Sequence, residues 1–243
     1  GWPHYIARPL GCNDFLNKLL VVEYCYGELL SDIIIRGIRN HDDGLLFDKL
    51  SALGYFLATF HNRTANGCRV DFNESSFYMD TLVQHLLDAR TIGWDEACEY
   101  HWLRDRWRER PDMWEDAQVL THGDATPANF LFGDGPSVIT FDLERARRAD
   151  RVYDTGRIVG ELVHYFLQAT GNRYDAEPFI GHFLWEYACH FPDRERAFQS
   201  MTRRVPFYMG ITLLRIARNT WLNELDRRRL VREARHCLRR WNI

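Results

Sequence analysis

Lysine is nearly absent from this chain. Of 31 basic residues only Lys18 and Lys49 are lysines, and neither follows a glycine-rich loop. The early glycines, Gly1, Gly11, Gly27 and Gly37, never approach a Gly-x-Gly-x-x-Gly spacing. A glycine loop laid over phosphates, with a lysine on the next strand to clamp them, is therefore missing from the sequence. Paired cysteines are missing too. Cys12, Cys25, Cys68, Cys98, Cys189 and Cys237 are scattered with no Cys-x-x-Cys pair, which argues against a zinc site or disulfide framework and for reduced thiols in a cytoplasm. No stretch of about 18 apolar residues free of charge occurs, and the first residues lack a signal-peptide pattern, so a soluble cytoplasmic protein is expected. A net charge of −3 gives no general attraction to nucleic acid or anionic membranes, and neither is expected as a partner.

What is present is apolar and aromatic. The 243 residues are 46% hydrophobic and 14% aromatic, ample for the core of one large lobe. Helical periodicity marks a helix beginning near Ser31-Asp32, then Leu45 to Phe60 and roughly residues 77–91, 94–108, 155–170, 176–191, 194–219 and 222–241, with Pro206 expected to break or kink the 194–219 segment. Asn40-His-Asp-Asp-Gly44 and residues 62–76 read as loops. No internal repeat or low-complexity run is evident.

The most informative stretch runs from Thr121 to Glu144. Phe130-Leu131-Phe132 and Val138-Ile139-Thr140-Phe141 are short β-prone runs, and Gly133-Asp134-Gly135-Pro136 between them is rich in turn formers, so the segment reads as a β-hairpin. Asn129 enters its first strand and Asp142 leaves its second. Antiparallel pairing sets these two side by side at the open end, with Asp124 on the loop just before. Two oxygen ligands suit Mg²⁺, a hard cation that takes few protein ligands and leaves room for phosphate oxygens. Asp124 is then free to orient a hydroxyl and accept its proton. The plainer alternative is a polar loop and hairpin bearing three solvated residues.

His122-Gly123-Asp124, Asn129 five residues after the Asp, and the strand ending in Phe141-Asp142-Leu143-Glu144 resemble the catalytic core of the aminoglycoside phosphotransferase and choline kinase family, relatives of protein kinases. The resemblance implies an α+β, protein kinase-like fold with a mostly helical C-lobe. It implies Asp124 as the catalytic residue, Asn129 and Asp142 as the metal-binding pair, and ATP and Mg²⁺ as cofactors. Leu19 to Glu28 resembles the family's last N-lobe strand and hinge, whose main-chain groups at Glu23 and Cys25 would bond the adenine edge. Leu53 to His61 resembles the helix beneath the catalytic loop, with Phe60 in place of the usual Leu. Asp150 to Arg157 resembles the acidic segment after the metal-binding strand, with Asp154 bracing the loop. His61, His122 and Asp154 are read as supports rather than as chemical participants.

The missing phosphate clamp shapes the domain reading. Residues 1–25 are expected to be a remnant of the N-lobe, with Tyr5-Ile6-Ala7-Arg8 and Leu19 to Tyr24 as its last two strands, joined through Gly11-Cys12-Asn13-Asp14. Residues 26–243 form the C-lobe. A two-stranded ribbon is marginal alone, so the chain is expected to be part of a longer one.

Two further features are discounted. Eleven arginines against three acidic residues between Arg203 and Arg240 read as the solvated face of amphipathic helices rather than a nucleic-acid surface. Trp94, Asp95, Glu96, Glu99, Tyr100 and Trp102 have the chemistry to attract an amine, but helical amphipathicity accounts for them equally well. The expected activity is ATP-dependent phosphoryl transfer to the hydroxyl of a small molecule. The alternatives are a kinase-fold binding or regulatory module without turnover and, less favoured by the motif forms, a protein kinase.

Overall fold

The computed structural model describes residues 4–15 and 19–242. The expectations for Gly1 and Lys18 lie outside the described residues. Among the described residues the architecture is mainly helical, with three small sheets. Strands β1 (His4–Ile6), β4 (Glu28–Leu29), β6 (Phe130–Phe132) and β7 (Val138–Thr140) form one sheet in the order β1-β7-β6-β4. β2 (Pro9–Asn13) pairs with β3 (Leu19–Val22), and β5 (Val119–Thr121) pairs with β8 (Arg147–Ala149).

The helices are α1 (Leu30–Asn40), α2 (Asp43–Thr64), α3 (Asn73–Asp88), α4 (Trp94–Arg108), α5 (Val152–Thr170), α6 (Glu177–Ala188), α7 (Arg194–Ala217) and α8 (Glu224–Leu238). Their patterning explains their placement. In α2 the buried Leu46, Leu50, Leu53 and Leu57 recur every three or four residues, the spacing of one helical face. Asp42 starts the helix by accepting a hydrogen bond from the Leu45 amide at 3.4 Å. In α5 every residue from Val152 to Leu167 except Tyr165 is buried, which makes it the central helix. Its contact with α7 depends on Gly156, where a Cβ would lie 2.4 Å from Tyr208 Cβ. Only glycine permits that approach.

Two expectations are corrected by the strand pairing. Residues 5–8 and 19–24 were read as neighbours in a single ribbon. Instead β1 pairs in parallel with β7, Tyr5 opposite Ile139, and the antiparallel partner of β3 is β2, with a bulge between Pro9 and Gly11. Gly11-Cys12-Asn13 is therefore strand rather than connection. The physical reason is that β7 is buried along its whole length and requires a partner on its outer edge, which Tyr5 and its neighbours supply. Ala7 extends the pairing by donating to the Thr140 carbonyl at 2.8 Å. Of the break or kink expected at Pro206, the break does not occur, since α7 runs on through it.

The arginine-rich C-terminal third is not uniformly a solvated face. Arg204 is 1% exposed and bridges two elements, donating from Nη1 to Asp150 and from Nη2 to Asp116, each at 2.7 Å. Arg151 adds a contact to Asp116 at 3.1 Å and another to Asn62. Burial pushes the Asp150 carboxyl above its ordinary value and Arg204 only partly offsets this. For Asp116 burial acts upward as well, but Arg204 and Arg151 outweigh it and hold the carboxyl low. Elsewhere Glu96 pairs with Arg235, Glu99 with Arg239, and the buried Tyr100 hydroxyl donates to the Val231 carbonyl. The acidic and aromatic cluster of α4 is thus a clamp on α8 and on the turn after it.

Removing one member of a buried ion-pair network leaves uncompensated charge, at a cost of roughly 3–5 kcal/mol. Arg204→Met should lower the free energy of unfolding by about that much in urea titration. A loss under about 1 kcal/mol would place the pair in the energetic class of surface bridges.

Candidate active site

The candidate site is built where β5 passes into the hairpin. β5 ends at Thr121, held opposite Arg147 of β8, and the chain turns at once through His122, Gly123 and Asp124. Gly123 has φ +80°, and a Cβ there would fall 1.9 Å from the Arg145 carbonyl oxygen. The middle residue of His-Gly-Asp is therefore set by packing against the segment that follows Asp142.

The loop is held from below by one carboxylate. Asp154, fully buried at the start of α5, accepts from the His122 amide at 2.6 Å, the Gly123 amide at 3.1 Å and His61 Nε2 at 3.1 Å. His61 Nδ1 lies 2.8 Å from the Tyr187 hydroxyl, so a neutral ring with its proton on Nε2 satisfies both contacts. Burial acts to raise the Asp154 carboxyl, but the hydrogen bonds from His61 and the His122 amide outweigh it and hold it below the ordinary value.

A second chain of hydrogen bonds ties the loop to the hairpin. The Asp124 amide donates to His122 Nδ1 at 3.3 Å, His122 Nε2 lies 2.9 Å from Thr140 Oγ1, and that hydroxyl donates to the Asn129 carbonyl at 3.0 Å. The Asn129 side-chain amide completes the circuit by donating to the Asp124 carbonyl at 2.9 Å. His122 spends both ring nitrogens on this circuit and is a support.

The hairpin register places Phe130 opposite Thr140 and Phe132 opposite Val138, and the Phe141 amide reaches back to the Asn129 carbonyl at 3.4 Å. Asn129 and Asp142 thus sit at the same open end, as the pairing argument requires. The far turn is fastened to α2 by Lys49, whose Nζ donates to the carbonyls of Gly133 at 3.0 Å and Gly135 at 2.7 Å. Asp142 is exposed and has left-handed backbone angles, φ 63° and ψ 49°. An aspartate tolerates that conformation better than most residues, at some cost in strain. With its nitrogen engaged by Asp124, Asn129 has its amide oxygen left for a cation. An amide oxygen and an exposed carboxylate fit Mg²⁺, which is satisfied by few protein ligands. Among the described residues no three His, Cys, Asp or Glu side chains group closely enough to form an all-protein cage.

Glu23 and Cys25 lie in the extended segment between β3 and β4. The Glu23 amide donates to the Arg8 carbonyl at 3.0 Å, its carboxylate accepts from the Arg8 amide at 2.7 Å, and its carbonyl is 3.9 Å from Cys25 Sγ. The side chain of Glu23 thus ties the ribbon to the β1–β2 link.

Three residues outside the motif complete the site. Arg157 of α5, 3% exposed, donates from Nη1 to Asp124 Oδ1 at 2.5 Å and from Nη2 to the Tyr153 hydroxyl at 2.9 Å. Arg215 of α7 lies 3.8 Å from Asp124 Oδ1 and pairs with Glu161 at 2.5 Å, and Arg145 approaches Asp124 Oδ2 at 3.9 Å. None was singled out from sequence. The available signal was positional, since Arg157 follows Asp154 by less than one helical turn and so shares its end of the helix.

A helical lobe around a braced loop and a hairpin carrying Asn and Asp is that of a protein kinase-like fold, and solved structures agree. A glucosamine kinase superposes with a TM-score of 0.62 at 14% identity, over 96% of this chain and 65% of that one. A Plasmodium vivax ethanolamine kinase gives 0.56 at 16% identity over 98% and 67%, and the GDP complex of an aminoglycoside 2'-phosphotransferase gives 0.55 at 15% over 96% and 74%. The chain therefore spans about two thirds of the length of the first two. The phosphotransferase enzyme family model matches residues 6–190, and the chain belongs to that family. No curated protein matches it.

Because the Asp154 carboxyl is depressed, its contribution to stability is full above the ordinary value of 3.8 and is lost as pH falls through its folded value. Asp154→Asn should therefore destabilise the protein at neutral pH by roughly 3–5 kcal/mol. It should also flatten the acid limb of a stability-versus-pH curve from chemical denaturation. An unchanged acid limb would mean that other carboxylates control acid unfolding.

Proposed function

We propose that this chain carries the hinge and C-lobe of a small-molecule kinase, which moves the γ-phosphoryl group of ATP to a hydroxyl. The observation carrying this reading is the wiring of Asp124 and Asn129 into one hydrogen-bonded circuit, with Asp142 at the same end of the hairpin. Family membership and the fold of sugar, ethanolamine and aminoglycoside kinases support it. On the same reading residues 1–25 are the last strands of an N-lobe, and the main chain at Glu23 and Cys25 meets the adenine edge.

Each residue then has a separate task. Asp124 is 17% exposed, with Oδ1 on Arg157, so Oδ2 is the oxygen that orients the acceptor hydroxyl and takes its proton. The pairing with Arg157 fixes the rotamer of Asp124, so that little ordering remains when the acceptor arrives. Asn129 and Asp142 hold Mg²⁺, which neutralises charge on the phosphates when bound. Asp154 and His122 keep the loop at a fixed distance from the hairpin and touch no reacting atom.

Asp124→Asn keeps the shape and removes the base. It should lower kcat by about 10²–10⁴-fold while leaving nucleotide affinity nearly unchanged by calorimetry. Full activity in this variant would remove Asp124 from the mechanism. Asp142→Ala should weaken binding of the magnesium nucleotide, and an unaltered affinity would reject Asp142 as a ligand.

A further inference from the structure

One face of α5 carries three charged side chains in a row. Asp154, Arg157 and Glu161 recur every three or four residues and so share one side of the helix, and all three are buried. Asp154 holds the loop and Arg157 holds Asp124. Glu161 instead accepts from Arg215 of α7 at 2.5 Å. The two helices come close enough for this contact because of a second glycine, Gly160, where a Cβ would fall 2.7 Å from Thr212 Cβ.

The two helix-borne arginines beside Asp124 are anchored differently. Arg157 is 3% exposed, donates to both Asp124 Oδ1 and the Tyr153 hydroxyl, and lies over the Tyr153 ring at 5.1 Å. Its place is fixed from two sides. Arg215 Nη1 stands 3.8 Å from the same Oδ1, inside ion-pair range yet beyond hydrogen-bond distance. Its Nη2 is on Glu161 and its Nε has no partner, so Glu161 is the one hydrogen-bond partner of this side chain among the described residues. Burial pushes the Glu161 carboxyl above its ordinary value while the Arg215 and Arg157 guanidiniums act against that. Each member of the bridge therefore depends on the other.

A largely buried guanidinium that loses its carboxylate carries uncompensated charge. For Arg215 the only other carboxylate within reach among the described residues is Asp124, and a shift of roughly 1 Å makes the hydrogen bond. A carboxylate loaded with a second charge-assisted bond holds its negative charge more firmly and takes a proton less readily. We infer, on the kinase reading that makes Asp124 the base, that Glu161 is a positioning residue for the transfer step. It holds Arg215 off Asp124, so that the base keeps a single arginine hydrogen bond and an oxygen open to the acceptor hydroxyl.

The test uses the full expressed chain. Transfer is followed as ATP consumption with Mg²⁺ and each of glucosamine, ethanolamine and streptomycin, and Arg215 is located by crystallography without nucleotide. Glu161→Gln keeps the shape and removes the charge, and Glu161→Met removes the acceptor oxygen as well. Both should lower kcat, Glu161→Met by about ten- to a hundredfold, with KM for ATP nearly unchanged. Adding Arg215→Met to either variant should recover most of the loss, because the displaced guanidinium is then gone. In crystals of Glu161→Met an Arg215 nitrogen should lie within about 3.2 Å of an Asp124 oxygen. Glu161→Gln carries both readouts where Glu161→Met does not fold. Unchanged kcat in the single variants overturns the inference. So does a folded single variant whose lost activity is not recovered by Arg215→Met, which would make Glu161 a support of the fold alone. An Arg215 guanidinium that stays clear of Asp124 in the crystals does the same. No ATP consumption by the parent with any of the three compounds counts against the kinase reading, and the crystals then decide on their own whether Glu161 restrains Arg215.

Discussion

The buried carboxylate of Asp154 is the constraint on which the site depends. It gathers three donors from two distant parts of the chain, His61 on α2 and the amides of His122 and Gly123 on the loop, and it does so from the first turn of the central helix. A carboxylate can accept that many donors because each oxygen offers two acceptor positions. Desolvating it alone would be costly, and the three hydrogen bonds offset that cost. Gly123, where a Cβ would meet the Arg145 carbonyl, adds a second point of close contact to the loop. Asp124 consequently emerges from a segment bound below to α5, behind to α2 and laterally, through His122 and Thr140, to the hairpin.

Rigidity of this kind accounts for the division between supporting and exposed residues. His61, His122, Thr140 and Asp154 are all buried, and their polar atoms are spent on one another, on the main chain or on the Tyr187 hydroxyl. Asp142, by contrast, is exposed and held in a sparsely populated backbone conformation. The strained residue is thus the one left with an unspent carboxylate, a pattern expected where surrounding structure overrides a local preference. The arginines of α5 and α7 form a third tier. They belong to helices whose packing is decided by Gly156 against Tyr208, so the spacing of positive charge around Asp124 follows from helix contact rather than from the loop.

How much of this was legible from sequence depended on how local the cause was. The hairpin was readable because β-prone runs and a glycine-rich turn lie within a dozen residues, and its pairing fixes Asn129 and Asp142 without reference to the rest of the chain. The partner of Tyr5 was not readable, because short β-prone segments do not encode which edge they will join. Arg157, Arg204 and Arg215 were invisible for a related reason. Periodicity assigns arginine to the wet face of a helix, and only the arrival of Asp116, Asp150, Asp124 or Glu161 from elsewhere makes its burial tolerable. The break or kink at Pro206 follows from the local rule that proline interrupts helices, and of the two the break is absent, since α7 runs through it.

The parallel pairing of β1 with β7 has a consequence for how the molecule is assembled. Tyr5 and Ile139 are separated by more than half the chain, so this edge of the sheet is a contact of very long sequence range and should close late. During synthesis β1 leaves the ribosome well before the hairpin it joins, with its edge unsatisfied in the meantime. The segment that borders the hairpin in the finished protein thus stays an unpaired strand edge until the hairpin itself has been made.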